Sequence, residues 1–201
     1  MNEFQTFLRT RRSIRRFKTK PVPASVIERI LETATYAPSA HNLQPWRFAL
    51  IQTDSAKEKL GTALTNKMCA DMSAENTPYS KEYRQADIDK RIKISLRRMD
   101  EAPVIILLCR DKTILSGDAP EEKIMAIQST ALAGLQLLLS AHAENISANW
   151  ICWVLYAQKE TINALNLPEN WLPEAMFFLG NADEEPDEKA VKELSEITKK
   201  L

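Results

Sequence analysis

Two prolines, Pro38 and Pro45, constrain this chain more than any other feature. In Ala37-Pro38-Ser39-Ala40-His41-Asn42-Leu43-Gln44-Pro45-Trp46 each fixes its own φ and pushes the preceding residue out of the helical region. A helix arriving from upstream must stop before Pro38, so the segment up to Pro45 is a stiffened loop. Such a loop presents Ser39, Asn42 and Gln44 to a ligand with little further loss of entropy. The charge just before it is uneven. Between Arg9 and Lys20 there are seven Lys or Arg (Arg9, Arg11, Arg12, Arg15, Arg16, Lys18, Lys20), and no Asp or Glu occurs between Glu3 and Glu28. In a chain whose 27 basic and 27 acidic side chains balance, that concentration makes a local anion site, suited to phosphate or carboxylate.

Periodicity orders the rest. Asn2 to Thr10 reads as a short helix with Phe4, Phe7 and Leu8 on one face. A second helix opens at Pro23 and Ser25, with Ser25 and Glu28 spaced as a capping box and Val26, Ile27, Ile30, Leu31 and Ala34 as its buried stripe. Trp46 to Gln52 is a strand, and Asp54 can cap a helix reaching about Thr65. The stretch 66–86 has no clear period; it carries Met68, Met72, Tyr79 and Tyr83, and insertions of this kind bear substrate contacts. A helix from Asp87 to about Met99 precedes Val104-Ile105-Ile106-Leu107-Leu108-Cys109, an unbroken apolar run that reads as a central strand covered on both faces.

From Ile124 to Ala141 runs the longest apolar stretch, interrupted by Gln128, Ser129, Thr130, Gln136 and Ser140. These polar residues argue against a bilayer span and for a helix buried in a core or between subunits. Ser147 to Val154 and Ala175 to Gly180 read as strands, with a helix from Gln158 to Leu165 and a turn bracketed by Pro168 and Pro173. After Gly180 come an acidic loop, Asp183 to Glu188, and a charged amphipathic helix to the C-terminus. No repeat or linker divides the chain, so residues 1–201 form a single domain. Uneven crossovers favour α+β with a mixed sheet.

Cys69, Cys109 and Cys152 have no C-x-x-C spacing, which fits reduced thiols in a reducing, cytoplasmic compartment. Two distant histidines and scattered cysteines give no metal-ligand spacing, and four glycines give no dinucleotide fingerprint. Arg11-Arg12-Ser13-Ile14-Arg15-Arg16-Phe17 followed by Ala37-Pro38-Ser39-x-x-Asn42-x-Gln44-Pro45-Trp46 resembles the nitroreductase family of FMN-dependent oxidoreductases. Within it, Ala37 to Asn42, the arginine pair Arg97-Arg98 before Ala102-Pro103, and Leu167-Pro168-Glu169-Asn170-Trp171 are most similar to the reductase domain fused to the glutamate ligase of deazaflavin-coenzyme biosynthesis.

The resemblance implies a nitroreductase-like α+β fold with a mixed central sheet in a domain-intertwined homodimer. It implies FMN as cofactor and NADH or NADPH as transient donor. Arg11 and Ser13 would hold the phosphate with Arg12 beside them, and Arg15 would meet the N1 and C2-carbonyl edge of the flavin. Pro38, Ser39, Ala40, Asn42 and Gln44 would come from the partner subunit. Trp150, Ile151, Cys152 and Trp153 would pass along the ring face, and Lys192 is the nearest match to a second phosphate cation. Arg15 and Cys152 are the catalytic candidates. Asn145-Ile146-Ser147 departs from the family's Gly-Leu-Gly and so questions the close backbone approach there. The acceptor class is a nitroaromatic, a quinone or a deazaflavin-coenzyme precursor. The competing readings are a basic module gripping nucleic acid or an acidic partner through Arg9 to Lys20, and a flavin or deazaflavin binder without turnover.

Overall fold

The apolar run becomes β2 (Val104–Asp111), every residue of which is buried. Its side chains alternate between two cores: Val104, Ile106 and Leu108 enter one cluster, and Ile105, Leu107 and Cys109 the other. A strand buried on both faces must lie inside its sheet, and it does. With β1 (Trp46–Ile51), β3 (Ser147–Ile151) and β4 (Trp171–Gly180) it forms a four-stranded sheet in the order β1-β2-β4-β3. The computed structural model describes residues 1–73 and 85–201. The fold is α+β, as expected. The named strands pair antiparallel throughout, and the parallel component of the expected mixed sheet is an isolated bridge between Ser13 and Ala148.

Helices α1 (Glu3–Thr10), α2 (Ala24–Ala34), α3 (Asp54–Ser73), α4 (Gln85–Glu101), α5 (Pro120–Ala143) and α6 (Gln158–Leu165) surround the sheet, and a single turn, α7 (Leu194–Ile197), lies near the end. Helix α2 buries Ile27, Ile30 and Ala34 against α5. By length and mean hydropathy, 1.5 over its best window, α5 could cross a membrane, yet half of that window is buried. It is a core helix. Gly134 at its centre makes the packing possible: a Cβ there would stand 2.3 Å from the Trp150 indole and 3.0 Å from Leu108. Trp150 in turn meets Phe177 edge-on, ring centroids 5.0 Å apart.

Several boundaries differ from expectation, each for a local reason. Helix α3 runs on to Ser73, placing Met68 and Met72 on a helix rather than in an irregular insertion; Tyr79 and Tyr83 lie outside the described residues. Ser25 does not cap α2, because the Pro23 carbonyl accepts the first helical N–H groups and makes Ser25 the second helical residue. Pro173 lies inside β4 rather than in a turn, opposite Cys109 where the register shifts. A bulge tolerates the missing N–H. Strand β3 stops at Ile151, since Cys152 (φ −95°, ψ 6°) turns the chain into a short 3-10 helix, Trp153–Tyr156. The expected C-terminal helix is only α7, whose residues are all exposed.

Phe4 and Leu8 on α1 are exposed, as are Ile124, Ile127, Leu132 and Leu135 on α5. Gly134→Ala gains helix propensity of about 1 kcal/mol but drives a methyl into a rigid indole. We expect a net loss of about 1–2 kcal/mol and a melting temperature lower by roughly 2–8 °C, read by thermal unfolding.

Candidate active site

Where α1 ends the chain becomes extended, and Ser13 bridges Ala148 at the edge of β3 while the Ile14 N–H donates to the Ala148 carbonyl at 3.2 Å. Ile14 and Phe17 are buried. Anchoring these two side chains in the core fixes the direction of the arginines between and before them. Two adjoining cavities result. One, about 230 Å³, is lined by Thr10, Arg11, Arg12, His142 and Ser147, and the other, about 360 Å³, by Arg11, Arg12, Ser13, Arg15, Glu184 and Lys189.

The arginines are not equivalent. Arg11 has a buried Nη1 with no hydrogen-bond partner, which in a folded protein calls for an acceptor from outside the chain. Arg12 donates through Nη1 to the Arg9 and Arg11 carbonyls at 2.6 and 3.1 Å, closing the end of α1. Arg16 pairs with Glu101 at 2.6 Å. The Arg15 side chain is exposed, and its backbone N–H donates to Glu184. Behind it Arg98 has a buried Nε without a partner; burial first, and then the Arg15 cation, pull its guanidinium below the usual range. His142 packs against Phe7 with the rings tilted by 31° and their centroids 4.8 Å apart, and its Nε2 lies 3.1 Å from Thr10 Oγ1.

The proline loop lies elsewhere in the same chain. His41, Asn42 and Gln44 have φ of 54°, 54° and 50°, a left-handed cluster that asparagine tolerates but that is costly for His41 and Gln44. The loop is held by Ala40 N–H donating to Ser129 Oγ, Gln44 N–H to Ser39 Oγ and Gln44 Nε2 to Asn42 Oδ1, each at 3.1 Å. Ser129 is on the N-terminal half of α5, whereas Leu138 and His142 border the arginine cleft at the C-terminal end. Pro38, Ser39, Ala40, Asn42 and Gln44 are therefore not brought to Arg11, Ser13 and Arg15 within one chain.

Trp150 and Ile151 are half-buried on β3, leading away from the cleft. Cys152 is exposed, its sulfur accepting from Trp150 Nε1 at 3.1 Å. Trp153 lines a third cavity of about 240 Å³ with Met68, Met72 and Tyr156. A larger cleft of about 580 Å³ between α3 and α4, lined by Asp54, Lys57, Thr65 and Asp100 among others, has none of the arginines in its wall and carries no comparable donor set. Among the described residues no group of His, Cys, Asp and Glu is arranged to hold a metal ion.

The nitroreductase family model matches residues 8–181. This chain belongs to the nitroreductase family. The Bacillus subtilis (strain 168) protein YfhC, named as a candidate NAD(P)H nitroreductase, is 29% identical over 182 residues, 90% of this chain and 86% of its own length. A BluB-like flavoprotein from Clostridium difficile 630 superposes with a TM-score of 0.80 at 24% identity over the whole of both chains. A nitroreductase with bound FMN from Desulfitobacterium hafniense DCB-2 does so with a TM-score of 0.76 at 20% identity, again over both whole chains. At these identities the two structures speak to the fold alone. The BluB-like structure fits the nearer likeness to the ligase-fused reductase domain only loosely.

In this nitroreductase-family chain the tail lysine that reaches the cleft is Lys189; Lys192 is exposed and lies off its wall. Asn145 takes the left-handed φ of 55° after α5, and the Ile146 N–H closes the helix end on the Ala141 carbonyl at 2.8 Å. Asparagine adopts that conformation readily, so the missing glycine leaves the turn intact. Sequence reasoning missed Gly134 and Glu184 as site or support residues, carried Arg98 only within a family likeness, and weighed Lys189 beside Lys192 but settled on Lys192. The lone glycine in an eighteen-residue apolar stretch was the one available signal.

Burial, and then the Arg11 cation, hold the His142 pKa below its ordinary value, against a hydrogen bond with the Phe7 backbone that raises it. Unfolded histidine takes its proton near pH ~6.5, above the folded value, so the unfolded chain binds more protons between the two. Stability should therefore fall as pH drops through about 6.5 and level off once folded His142 is protonated. His142→Asn should flatten that part of the melting-temperature profile between about pH 7.5 and about 5.5.

Proposed function

We propose that this chain is an FMN-dependent oxidoreductase that takes reducing equivalents from NADH or NADPH and delivers them to a small conjugated acceptor. The observation that carries the reading is the buried, partnerless Arg11 Nη1 in a cleft that also holds Arg12, Ser13, Arg15 and Lys189. A ligand bearing phosphate supplies the acceptors this donor set lacks, and charge-assisted bonds of that kind are the strong ones. FMN bound in D. hafniense nitroreductase and the name of YfhC support flavin and nicotinamide as the partners. Bound here, FMN would supply reversible two-electron chemistry at its ring.

The chain's own residues would then divide the work. Arg11 and Ser13 would hold the phosphate, Arg12 keeps the end of α1 in place, and Arg15, in the wall of the same cleft, would offer a cation to stabilise negative charge on the reduced ring. The segment from Trp150 to Trp153, leading away from the phosphate end of the cleft, would pass along the ring. Cys152 contributes through its backbone rather than its exposed thiol, and Cys109 is no rival, since burial pushes its thiol up to about 12. The acceptor side is the apolar cavity of Met68, Met72, Trp153 and Tyr156, which suits a flat conjugated molecule such as a nitroaromatic, a quinone or a deazaflavin-coenzyme precursor. A basic binding module needs an open cationic face, whereas Glu184, Glu185 and Asp187 line this cleft.

A homodimer completes the site. The loop's attachment near Ser129 and the cleft's border near Leu138 to His142 are separated by roughly 14–20 Å along α5. Antiparallel pairing of two α5 helices about an axis near Leu132 and Leu135 would set the loop of one protomer beside the arginines of the other. Those two leucines are exposed on the single chain.

Purified protein should be yellow and release FMN on denaturation. Colourless protein that takes up no added FMN defeats the reading. Arg11→Gln should weaken FMN binding about 10- to 100-fold, the worth of a charged hydrogen bond, measured by flavin fluorescence. Leu132→Glu with Leu135→Glu should yield monomers by sedimentation and lose FMN with them. Monomers that keep full FMN affinity would remove the shared site.

A further inference from the structure

The acidic run after β4 meets the arginine segment in a fixed register. Lys18 N–H donates to the Asn181 carbonyl at 2.9 Å, Phe17 bridges Ala182 antiparallel, and Asp183 N–H donates to the Arg16 carbonyl at 3.0 Å. The next step of this ladder brings Glu184 to Arg15, whose backbone N–H donates to its carboxylate. Asp183, Glu185, Asp187 and Glu188 are exposed, while Glu184 is half-buried and turned inward. It lines both arginine cavities. Its charge also reaches Arg16 and Arg98.

We infer that Glu184 is a resident counter-anion of the cleft, opposing the phosphate of the bound ligand and thereby setting how tightly that phosphate is held. The inference rests on the proposed function for naming the ligand FMN, but physically it requires only that phosphate enter beside Arg11. A carboxylate fixed by a backbone ladder does not leave when phosphate arrives. Two anions then share the field of Arg11, Arg15 and Arg98, and each weakens the cations' hold on the other. Before phosphate binds, the same carboxylate offsets repulsion among guanidinium groups, two of which have buried nitrogens without hydrogen-bond partners. The cleft thus trades part of its grip on phosphate for a folded cationic wall.

Glu184→Gln keeps an oxygen to accept from Arg15 N–H and removes the charge. In the full-length protein it should tighten FMN about tenfold by flavin fluorescence, the effect of one close like charge discounted for partial exposure. Inorganic phosphate should raise the melting temperature of the variant at correspondingly lower concentration. Riboflavin, which lacks the phosphate, should bind both proteins alike, and the exposed change Glu188→Gln, off the cleft wall, should alter nothing. FMN affinity that is unchanged or weaker in Glu184→Gln overturns the inference, as does equal tightening for riboflavin or in Glu188→Gln. If the wild-type protein takes up no FMN, the flavin reading fails and the phosphate measurement still decides: a shift to lower phosphate concentration upholds Glu184, and no shift refutes it.

Discussion

The parallel bridge between Ser13 and Ala148 is the contact on which the site depends. Ile14 and Phe17, which follow it in the chain, are sunk in the core with residues of β4, so the segment between α1 and α2 has one orientation. Arginines on a free segment would lose rotamer freedom on gripping an anion, whereas these are already aimed. Gly180 at the end of β4 belongs to the same arrangement, because a Cβ there would stand 2.7 Å from Pro103 and 3.0 Å from Phe17. Hydrophobic burial of two residues thus becomes electrostatic preorganisation of their neighbours.

Helix α5 ties the rest of the molecule to that contact. Its C-terminal end borders the arginine cleft, its centre admits the Trp150 indole over Gly134, and Ser129 in its N-terminal half accepts from the loop at Ala40. Ser129 is itself tied down, donating to the Met125 carbonyl at 2.7 Å. The strained left-handed turn at His41, Asn42 and Gln44 is therefore held by a rigid element rather than by its own residues. Backbone strain of this sort persists where surrounding structure over-determines it, which is characteristic of ligand-binding loops.

Much of the fold was legible in the sequence, for identifiable reasons. Charge and burial act locally in β2, α2, α5 and the arginine cluster, so composition over a short window suffices. Pro38 and Pro45 act through their own backbone and mark the loop without any tertiary information. Where reading failed, the deciding partner was distant. Pro173 argued against a strand because nothing near it predicts the irregular register at Leu108 and Cys109 that accommodates it. The motif Leu167 to Trp171, carried as a family likeness, proves to be a latch: Asn170 Nδ2 donates to Asp111 Oδ1 at 2.9 Å, closing β4 on the end of β2. Asn145 was read as a lost glycine because the sequence does not reveal which of three positions needs a left-handed φ. Glu184 stands 169 positions from Arg15, and no pattern along the chain links them.

That last separation has a structural consequence. The family match ends at residue 181, where the β4 chain turns back along Phe17 and Lys18. The following acids line the cleft because a short ladder continues two residues further, through Asp183, and not because their composition seeks arginine; Glu185 and Asp187 on the same run stay exposed. Register decides which carboxylate faces the cations. An insertion of one residue between Gly180 and Glu184 would turn a different side chain inward while leaving net charge, sheet and arginines as they are. The cationic cleft and its acidic border are thus two halves of one backbone pairing, and the charge at the site is a property of that pairing rather than of either segment.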